Sequence, residues 1–337
     1  PPALAQPIAA APEITLDTVT IIGTGLPTEV MKNPASVMLI EGDAIARQSP
    51  VTIAGLLRDV PGLQIGEEGI ERISLRGEQS RRIAILLDGQ ALTDHGNYGQ
   101  PIPVDPTQIE RIEVVRGSSS VVSGNRAIGG VINIITKQGA AKPFELTTNA
   151  GWMSATRGWR ASVSAAGTLP LGAGEFDYRL SHGRMDQGNR HTPDGVAENT
   201  AVSDRNLSLH AGYRLNNHHF GLRVQHTDLS GNVYTVNPPG VLDWRIDLPR
   251  RDLRKTAIFY EGTDLAPWLD RLSFDVYRQT IAREFMNDIN QSLPAPPGAS
   301  IRIQVDSDDD QVTKGANLRA EMRFSEHTRT VAGLEYE

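Results

Sequence analysis

The 337-residue sequence predicts two units of different fold class. The first is an α+β segment reaching to about residue 140. The second is an antiparallel β-sheet of the kind that closes into a transmembrane barrel. Three observations predict this. Short helical and strand-like runs alternate up to residue 140 and stop at glycine turns. Beyond residue 145, apolar and polar residues alternate with period two in run after run. The links between those runs are short at one end and long at the other.

Residues 1–13 read as a signal remnant and disordered linker. Ala3, Leu4 and Ala5 have the small-x-small form of a signal-peptidase site, and Gln6 would begin the exported chain. Strands are expected at 18–22 and 36–40. Gly42 and Asp43 precede a helical turn over 44–48. A second short helix is expected over 53–59, where Ile53, Leu56 and Leu57 share a face and Pro61-Gly62 ends it. Strand-like runs follow at 72–76, 83–87, 109–116 and 130–137. Three of them stop at Arg76-Gly77, Asp88-Gly89 and Arg116-Gly117.

From residue 145 the pattern changes. Trp159, Ala161 and Val163 alternate with Arg160, Ser162 and Ser164. Phe176, Tyr178 and Leu180 alternate with Asp177, Arg179 and Ser181. Phe220, Leu222 and Val224 alternate with Gly221, Arg223 and Gln225. Nine strands are expected, near 145–152, 158–168, 175–185, 204–214, 218–228, 252–262, 269–281, 310–324 and 329–337. A soluble sandwich would alternate in the same way, so the links decide. Those at 169–174, 215–217, 263–268 and 325–328 are short, as is the first, 153–157, which is the exception at the loop end. Those at 186–203, 229–251 and 282–309 are long and polar. Antiparallel strands place alternate links at opposite ends, so this sheet has a turn end and a loop end, as an outer-membrane barrel does. Trp152 and Trp159 at the loop end, with Tyr213 and Trp268 at the turn end, are candidate interfacial girdles.

Composition narrows the function classes. Lys and Arg total 33 against 40 Asp and Glu, a net charge of −7, and neither half is basic, which argues against a nucleic-acid groove. Mean hydropathy is −0.30, and the longest uncharged apolar run, 131–136, is far too short for a spanning helix. Lipid-and-lumen alternation produces the same average. There is no cysteine, so disulfides and thiolate metal sites are excluded. No Gly-x-Ser-x-Gly, phosphate loop or His-Glu-x-x-His supports the alternative of a soluble β-rich enzyme.

Four motifs carry a resemblance. They are Leu75-Arg76-Gly77, Leu87-Asp88-Gly89, Ile109-Glu110-Arg111-Ile112-Glu113-Val114-Val115-Arg116-Gly117 and Ala127-Ile128-Gly129-Gly130-Val131-Ile132-Asn133-Ile134-Ile135-Thr136. In order and spacing they resemble the plug of TonB-dependent outer-membrane receptors. Ser118 stands where the family usually has proline, and Val122-Ser123-Gly124 where it usually has Leu-Tyr-Gly. The resemblance implies an α+β plug inside an antiparallel transmembrane barrel of 22 strands, of which about nine are present here. It divides the chain into 1–13, a TonB box region at 14–24, a plug at 25–140 and barrel at 145–337. At the observed length per strand, about 270 further residues would be needed to complete such a barrel.

The resemblance also implies function. The family imports scarce nutrients, mostly iron chelates, and is not enzymatic. Leu16, Asp17, Thr18, Val19, Thr20 and Ile21 resemble its TonB box, a segment able to add as a strand to TonB, which belongs to an inner-membrane energising complex. The N-terminus would face the periplasm. The plug apex is expected at 93–100, where His95, Asn97 and Tyr98 are ligand-binding candidates. In haem receptors of the family a plug histidine near this position binds iron, so His95 is a candidate haem-iron ligand. His191 is the barrel-side candidate. The transported ligand would be haem or, alternatively, a ferric siderophore, which Arg190, Tyr234, Trp244 and Arg245 would suit; a carrier protein could deliver it. Glu113 and Arg116 are expected to make plug–barrel contacts. Strand parity points His182 and His226 outward and places His210 in the lumen at mid-strand. It sets His218 and His219 on opposite faces. The run Asp306-Ser307-Asp308-Asp309-Asp310 could hold calcium or simply be solvated at a loop edge.

Overall fold

A computed structural model describes residues 36–48, 52–65, 73–79, 82–92, 102–117, 127–294, 296, 298–325 and 328–337. The expected strand at 18–22 and the departures at 118–126 lie outside them. The first unit runs β1 (Ser36–Glu41), α1 (Gly42–Gln48), α2 (Ile53–Leu57), β2 (Leu63–Ile65), β3 (Ile73–Leu75), β4 (Glu78–Gln79), β5 (Ile83–Leu87) and β6 (Gln90–Ala91). A 3-10 turn (Pro106–Gln108), β7 (Ile109–Arg116) and β8 (Gly130–Thr136) complete it. One sheet has the order β1-β7-β8-β5-β6, with β5 and β8 parallel and the remaining pairs antiparallel. A second sheet is β2-β3-β4.

Local chemistry accounts for these elements. Thr52 caps α2 by accepting from Gly55 N at 3.0 Å. Both α2 leucines, with Leu75, Leu87, Ile109, Ile112, Ile132 and Ile134, are wholly buried in one core. The hairpins β3–β4 and β5–β6 turn on Arg76-Gly77 and Asp88-Gly89. All four residues have φ between +53° and +82°, as a two-residue primed turn demands. The strands β2, β4 and β6 leave no trace in the sequence pattern because two or three residues carry no periodicity.

The second unit is one nine-stranded antiparallel sheet. Its strands are β9 (Glu145–Met153), β10 (Gly158–Leu171), β11 (Gly174–Gln187), β14 (Val202–Leu215), β15 (His218–Val233), β16 (Val241–Ala266), β17 (Leu269–Ser292), β18 (Ser300–Ser325) and β19 (Thr328–Tyr336). A small hairpin of β12 (Arg190–Thr192) and β13 (Gly195–Ala197) occupies the link between β11 and β14. All nine strands fall where the alternation places them. Three are much longer than expected. The segments 241–251, 282–292 and 300–309, expected as loop, extend β16, β17 and β18. Alternation persists there, in Leu242, Trp244, Ile246 and Leu248 and in Ile301, Ile303 and Val305, but Pro249, the bulges of β16 and the mixed run 282–292 break its continuity with the apolar repeats of the other strands.

The acidic run at 306–310 therefore lies in a strand, not at a loop edge. Alternate residues point to opposite sides. Arg250 donates to Asp308 at 3.1 Å, and Arg283 pairs with Asp309. Trp244 and Arg245 are likewise strand residues: Trp244 Nε1 donates to Asn287 at 2.9 Å and Arg245 pairs with Asp247 at 2.7 Å. Farther out, Arg302 donates to Asp288, and that hydrogen bond holds the Asp288 carboxyl below the usual carboxylate range.

The polarity of the sheet is the reverse of a soluble protein's. Leu180, Leu209, Phe220, Ile258, Phe274 and Leu318 are exposed on one face. Asp177, Asn206, His210, His219, Lys255, Gln279 and Glu321 are buried on the other. The apolar face ends toward the loop side at exposed basic residues, Arg184, Arg205, Arg254, Arg278 and Lys314. Arg184 is the register partner of Arg205, and Arg278 of Lys314, so the boundary is level across strands. At the turn end lie Phe176, Tyr178, Tyr213, Phe220 and Trp268. Tyr213 Oη donates to Leu171 O at 3.0 Å, as an interfacial tyrosine would. Trp152 and Trp159 are register partners, exposed at the other end. This is an apolar belt between two girdles.

A test of the belt follows from Ile258, which is 64% exposed between Thr256 and Tyr260. Ile258→Arg should cost about 2–4 kcal/mol of folding free energy in phospholipid vesicles. Equilibrium urea titration checks this; a cost near zero would mean that this face meets water.

Candidate functional site

The first unit, termed the plug from here, packs against the buried polar face of the sheet, termed the wall. Hydrogen bonds attach it at three heights. Nearest the loop end, Asp105 caps the 3-10 turn by accepting from Thr107 N at 2.8 Å. The same carboxylate pairs with Arg160 of β10, and both side chains are largely buried. It enters the wall where Gly183 has no side chain; a Cβ there would overlap Asp105 Oδ2. Beside it, Gln108 Nε2 donates to Asn206 Oδ1 at 2.7 Å and Thr227 Oγ1 donates to Pro103 O at 3.0 Å.

At the middle height, Lys255 Nζ donates to Leu87 O at 2.8 Å. Gln90 Nε2 donates to Asp275 Oδ2 at 2.7 Å, and Asn317 steadies that carboxylate at 3.1 Å. Leu253 and Ile281 of the wall join the plug's apolar core here. At the lowest height the plug leaves β8 and becomes β9. Arg179 of β11 donates to Gln138 O and, at 3.3 Å, to Gly139 O, and Tyr178 Oη donates to Pro143 O at 3.1 Å. Each neutral hydrogen bond contributes about 0.5–1.5 kcal/mol net. Those to charged groups, at Arg160–Asp105, Lys255, Asp275 and Arg179, contribute about 1.5–3 kcal/mol, so the plug is held by many separate attachments of unequal strength.

Glu113 and Arg116 belong to the same region, and both make hydrogen bonds within the plug. Glu113, 1% exposed, accepts from Arg111 Nε at 3.0 Å and from Asn133 Nδ2 at 3.2 Å. Asn133 in turn accepts from Gly89 N at 3.2 Å, and Asp88 accepts from Thr136 N at 2.9 Å. Three of the four motifs read from sequence are therefore joined in one network linking β5, β7 and β8. Arg116 donates to Pro61 O at 3.1 Å. Glu113 also faces a polar groove of about 790 Å³ shared with Arg271, Arg319, Asp275 and Arg223 of the wall. The wall anchors Asp105, Gln108 and Gln90 carry no sequence signal, since each is a single polar residue in a short plug segment with no periodic context.

His191 lies on β12, exposed at the loop end. Its backbone N–H donates to Ala155 O at 2.6 Å, which ties the small hairpin to the turn after β9. His182 and His226 lie on the outer face as parity requires; His182 bonds Asn206 O at 2.8 Å and His226 bonds Asp228 at 2.6 Å. His95, Asn97, Tyr98 and the segment Leu16, Asp17, Thr18, Val19, Thr20 and Ile21 lie outside the described residues.

The loop-end anchor yields a prediction. Arg160→Ala leaves Asp105 buried without its cation, and removing one partner of a buried pair costs about 3–5 kcal/mol. The plug should loosen from the wall. The variant should give larger or more frequent conductance steps in planar bilayers at urea concentrations that leave the parent closed. Unchanged conductance would show that the pair does not hold the plug.

Comparison with known proteins agrees with this architecture. Residues 29–131 match the family described as TonB-dependent Receptor Plug Domain. A hemin receptor of Yersinia pestis is 32% identical over 202 residues, covering 57% of this chain and 29% of that protein. The ferric enterobactin receptor PirA of Pseudomonas aeruginosa is 26% identical over 299 residues, covering 72% and 38%. The chain thus spans about a third of the length of these relatives. Among solved structures, the FrpB iron transporter of Neisseria meningitidis superposes with a TM-score of 0.69 at 18% identity, over 89% of this chain and 48% of that one, a likeness of fold. The plug motifs and these matches together identify residues 29–131 as a TonB-dependent receptor plug domain, followed by a wall similar in fold to the matched iron transporter.

Proposed function

We propose that the receptor carrying this chain imports an iron chelate across the bacterial outer membrane, with haem as the transported ligand. The observation that carries the transport reading is the plug–wall interface. It fills the polar side of the wall with separable hydrogen bonds, so passage requires work on the plug. The segment 16–21 would supply the handle, adding as a strand to TonB and transmitting force from the inner-membrane complex. The N-terminus then faces the periplasm, and the loop end, with its long hairpins, faces outward.

The haem reading rests on His95 at the expected plug apex, since a neutral imidazole is a good ligand for haem iron. The likeness to hemin receptors supports it. Tyr98 would stack on or coordinate the flat ligand, Asn97 would hydrogen-bond it, and the exposed His191 would be available from the loop side. A ferric siderophore is the second reading, favoured by the enterobactin receptors among the relatives and by Arg190 and Tyr234 at the loop end. The matched relatives are named as receptors and transporters, which supports a role without catalysis. A carrier protein could deliver the ligand at the outer face.

Two outcomes test this. The complete receptor in detergent should shift the Soret band of haemin, and His95→Ala should weaken that binding about tenfold or more. No Soret shift, with tight binding of a ferric siderophore instead, would replace haem by the second reading. Deleting residues 16–21 should abolish ligand-dependent growth under iron limitation while leaving ligand binding intact. Growth that survives the deletion would place the TonB-contacting segment elsewhere.

A further inference from the structure

One buried cluster in the wall takes no part in holding the plug through hydrogen bonds. Asp177 of β11, His210 of β14 and His219 of β15 converge on the lumenal face. His210 Nε2 lies 2.5 Å from Asp177 Oδ2, and His219 Nε2 lies 2.9 Å from Asp177 Oδ1. All three residues are at least nine-tenths buried. Among the described residues this is the one group of three His or carboxylate side chains whose ligand atoms all lie within 4.8 Å of one another. In the sequence, His210 is a mid-strand residue and His219 is one of an adjacent pair with His218. The pairing that matters runs diagonally across three strands.

The register explains the convergence. Asp177 pairs with Gly212, and Gly212 pairs with Gly221. His210 and His219 each stand two residues from one of those glycines, on the same face. A Cβ at Gly212 would meet His219 Nε2 at 2.5 Å and Asp177 Oδ1 at 2.6 Å, so glycine is what lets the three groups meet. Phe259 packs against both imidazoles, with ring centroids 5.8 Å and 5.2 Å away, and fixes their planes. Below the cluster, Gly139 of the plug's exit segment sits against Asp177, and Arg179 donates to Gln138 O and Gly139 O.

We propose that Asp177, His210 and His219 bind one divalent transition-metal ion in the barrel wall beneath the plug's exit segment. Two imidazoles and a carboxylate are a borderline donor set, suited to Zn²⁺ and related ions. Metal bonds of about 2.0–2.2 Å in a tetrahedral site put ligand atoms about 3.4 Å apart. The present separations would open by less than about 1 Å, within the reach of side-chain rotation. Both Nε2 atoms and both carboxylate oxygens already aim at one another, so the ion would replace hydrogen bonds without rebuilding the strands. The bound ion would staple three strands at the point where the plug joins the barrel.

The test uses the complete receptor, without an affinity tag of histidines, stripped with EDTA in detergent and titrated with Co²⁺. The expected result is one Co²⁺ per chain, with the intense visible bands of a low-coordinate site, displaced by Zn²⁺. His219→Gln keeps a donor for Asp177 but lacks the imidazole, and should weaken binding at least tenfold, as should Asp177→Asn. His226→Ala, on the outer face, should bind as the parent does. Zn²⁺ should raise the thermal midpoint of the parent and not that of His219→Gln. Absence of the cobalt bands, or equal binding by parent and His219→Gln, would overturn the proposal and leave the cluster a hydrogen-bonded strut.

Discussion

A strand that gives every second side chain to hydrocarbon has only the remaining ones for polar contacts. In this wall those include Asp177, Asn206, Lys255, Asp275 and Gln279, and a buried polar group without a partner costs about 1–3 kcal/mol. The lumenal face therefore needs partners that are themselves polar. The plug supplies many of them: the Asp105 carboxylate for Arg160, the Gln108 amide for Asn206, and the carbonyl of Leu87 for Lys255. The outer face dictates the inner face, and the inner face dictates how the plug is held.

That constraint also shapes the energetics of release. An apolar interface would bind the plug through area, all at once. Here, among the described residues, the wall contributes Leu253 and Ile281 to the plug's apolar core, while hydrogen bonds are distributed over three heights. Such an interface can be undone in steps, each replaced by water at modest cost. The interior of the plug is different. Glu113, Asn133, Asp88 and Arg111 tie its central strands together, and that network favours a plug that moves as a folded body over one that unravels strand by strand.

Much of this is legible in the sequence, for identifiable reasons. Strands such as β11 and β15 carry a strict period of two because one face meets lipid. The plug hairpins carry Arg-Gly and Asp-Gly because their turns need positive φ. The long extensions of β16, β17 and β18 are harder to read because their alternation, as in Ile301, Ile303 and Val305, is cut off from the lipid-facing repeat by Pro249, the bulge beside it and the acidic run 306–310. The role of Glu113 and Arg116 is half legible: their motif marks a special strand, but only the structure pairs Glu113 with Asn133 and Arg116 with Pro61. Asp105 and the His210–His219 pairing are invisible, since cross-strand diagonals and a missing side chain at Gly183 or Gly212 depend on register.

Under the proposed import function the plug has to part from the wall. With no cysteine in these 337 residues, a single engineered pair can test it. Cysteines replacing Gln108 and Asn206, whose side chains touch across the interface, can be joined in the complete receptor by a bifunctional maleimide with a disulfide in its spacer, a reducible tether. Radiolabelled iron-chelate uptake by energised cells measures the effect. The intact tether should block uptake while sparing surface binding of the ligand, and reduction should restore it. Uptake at the parental rate through a receptor shown to be fully cross-linked would contradict a plug that has to leave the wall.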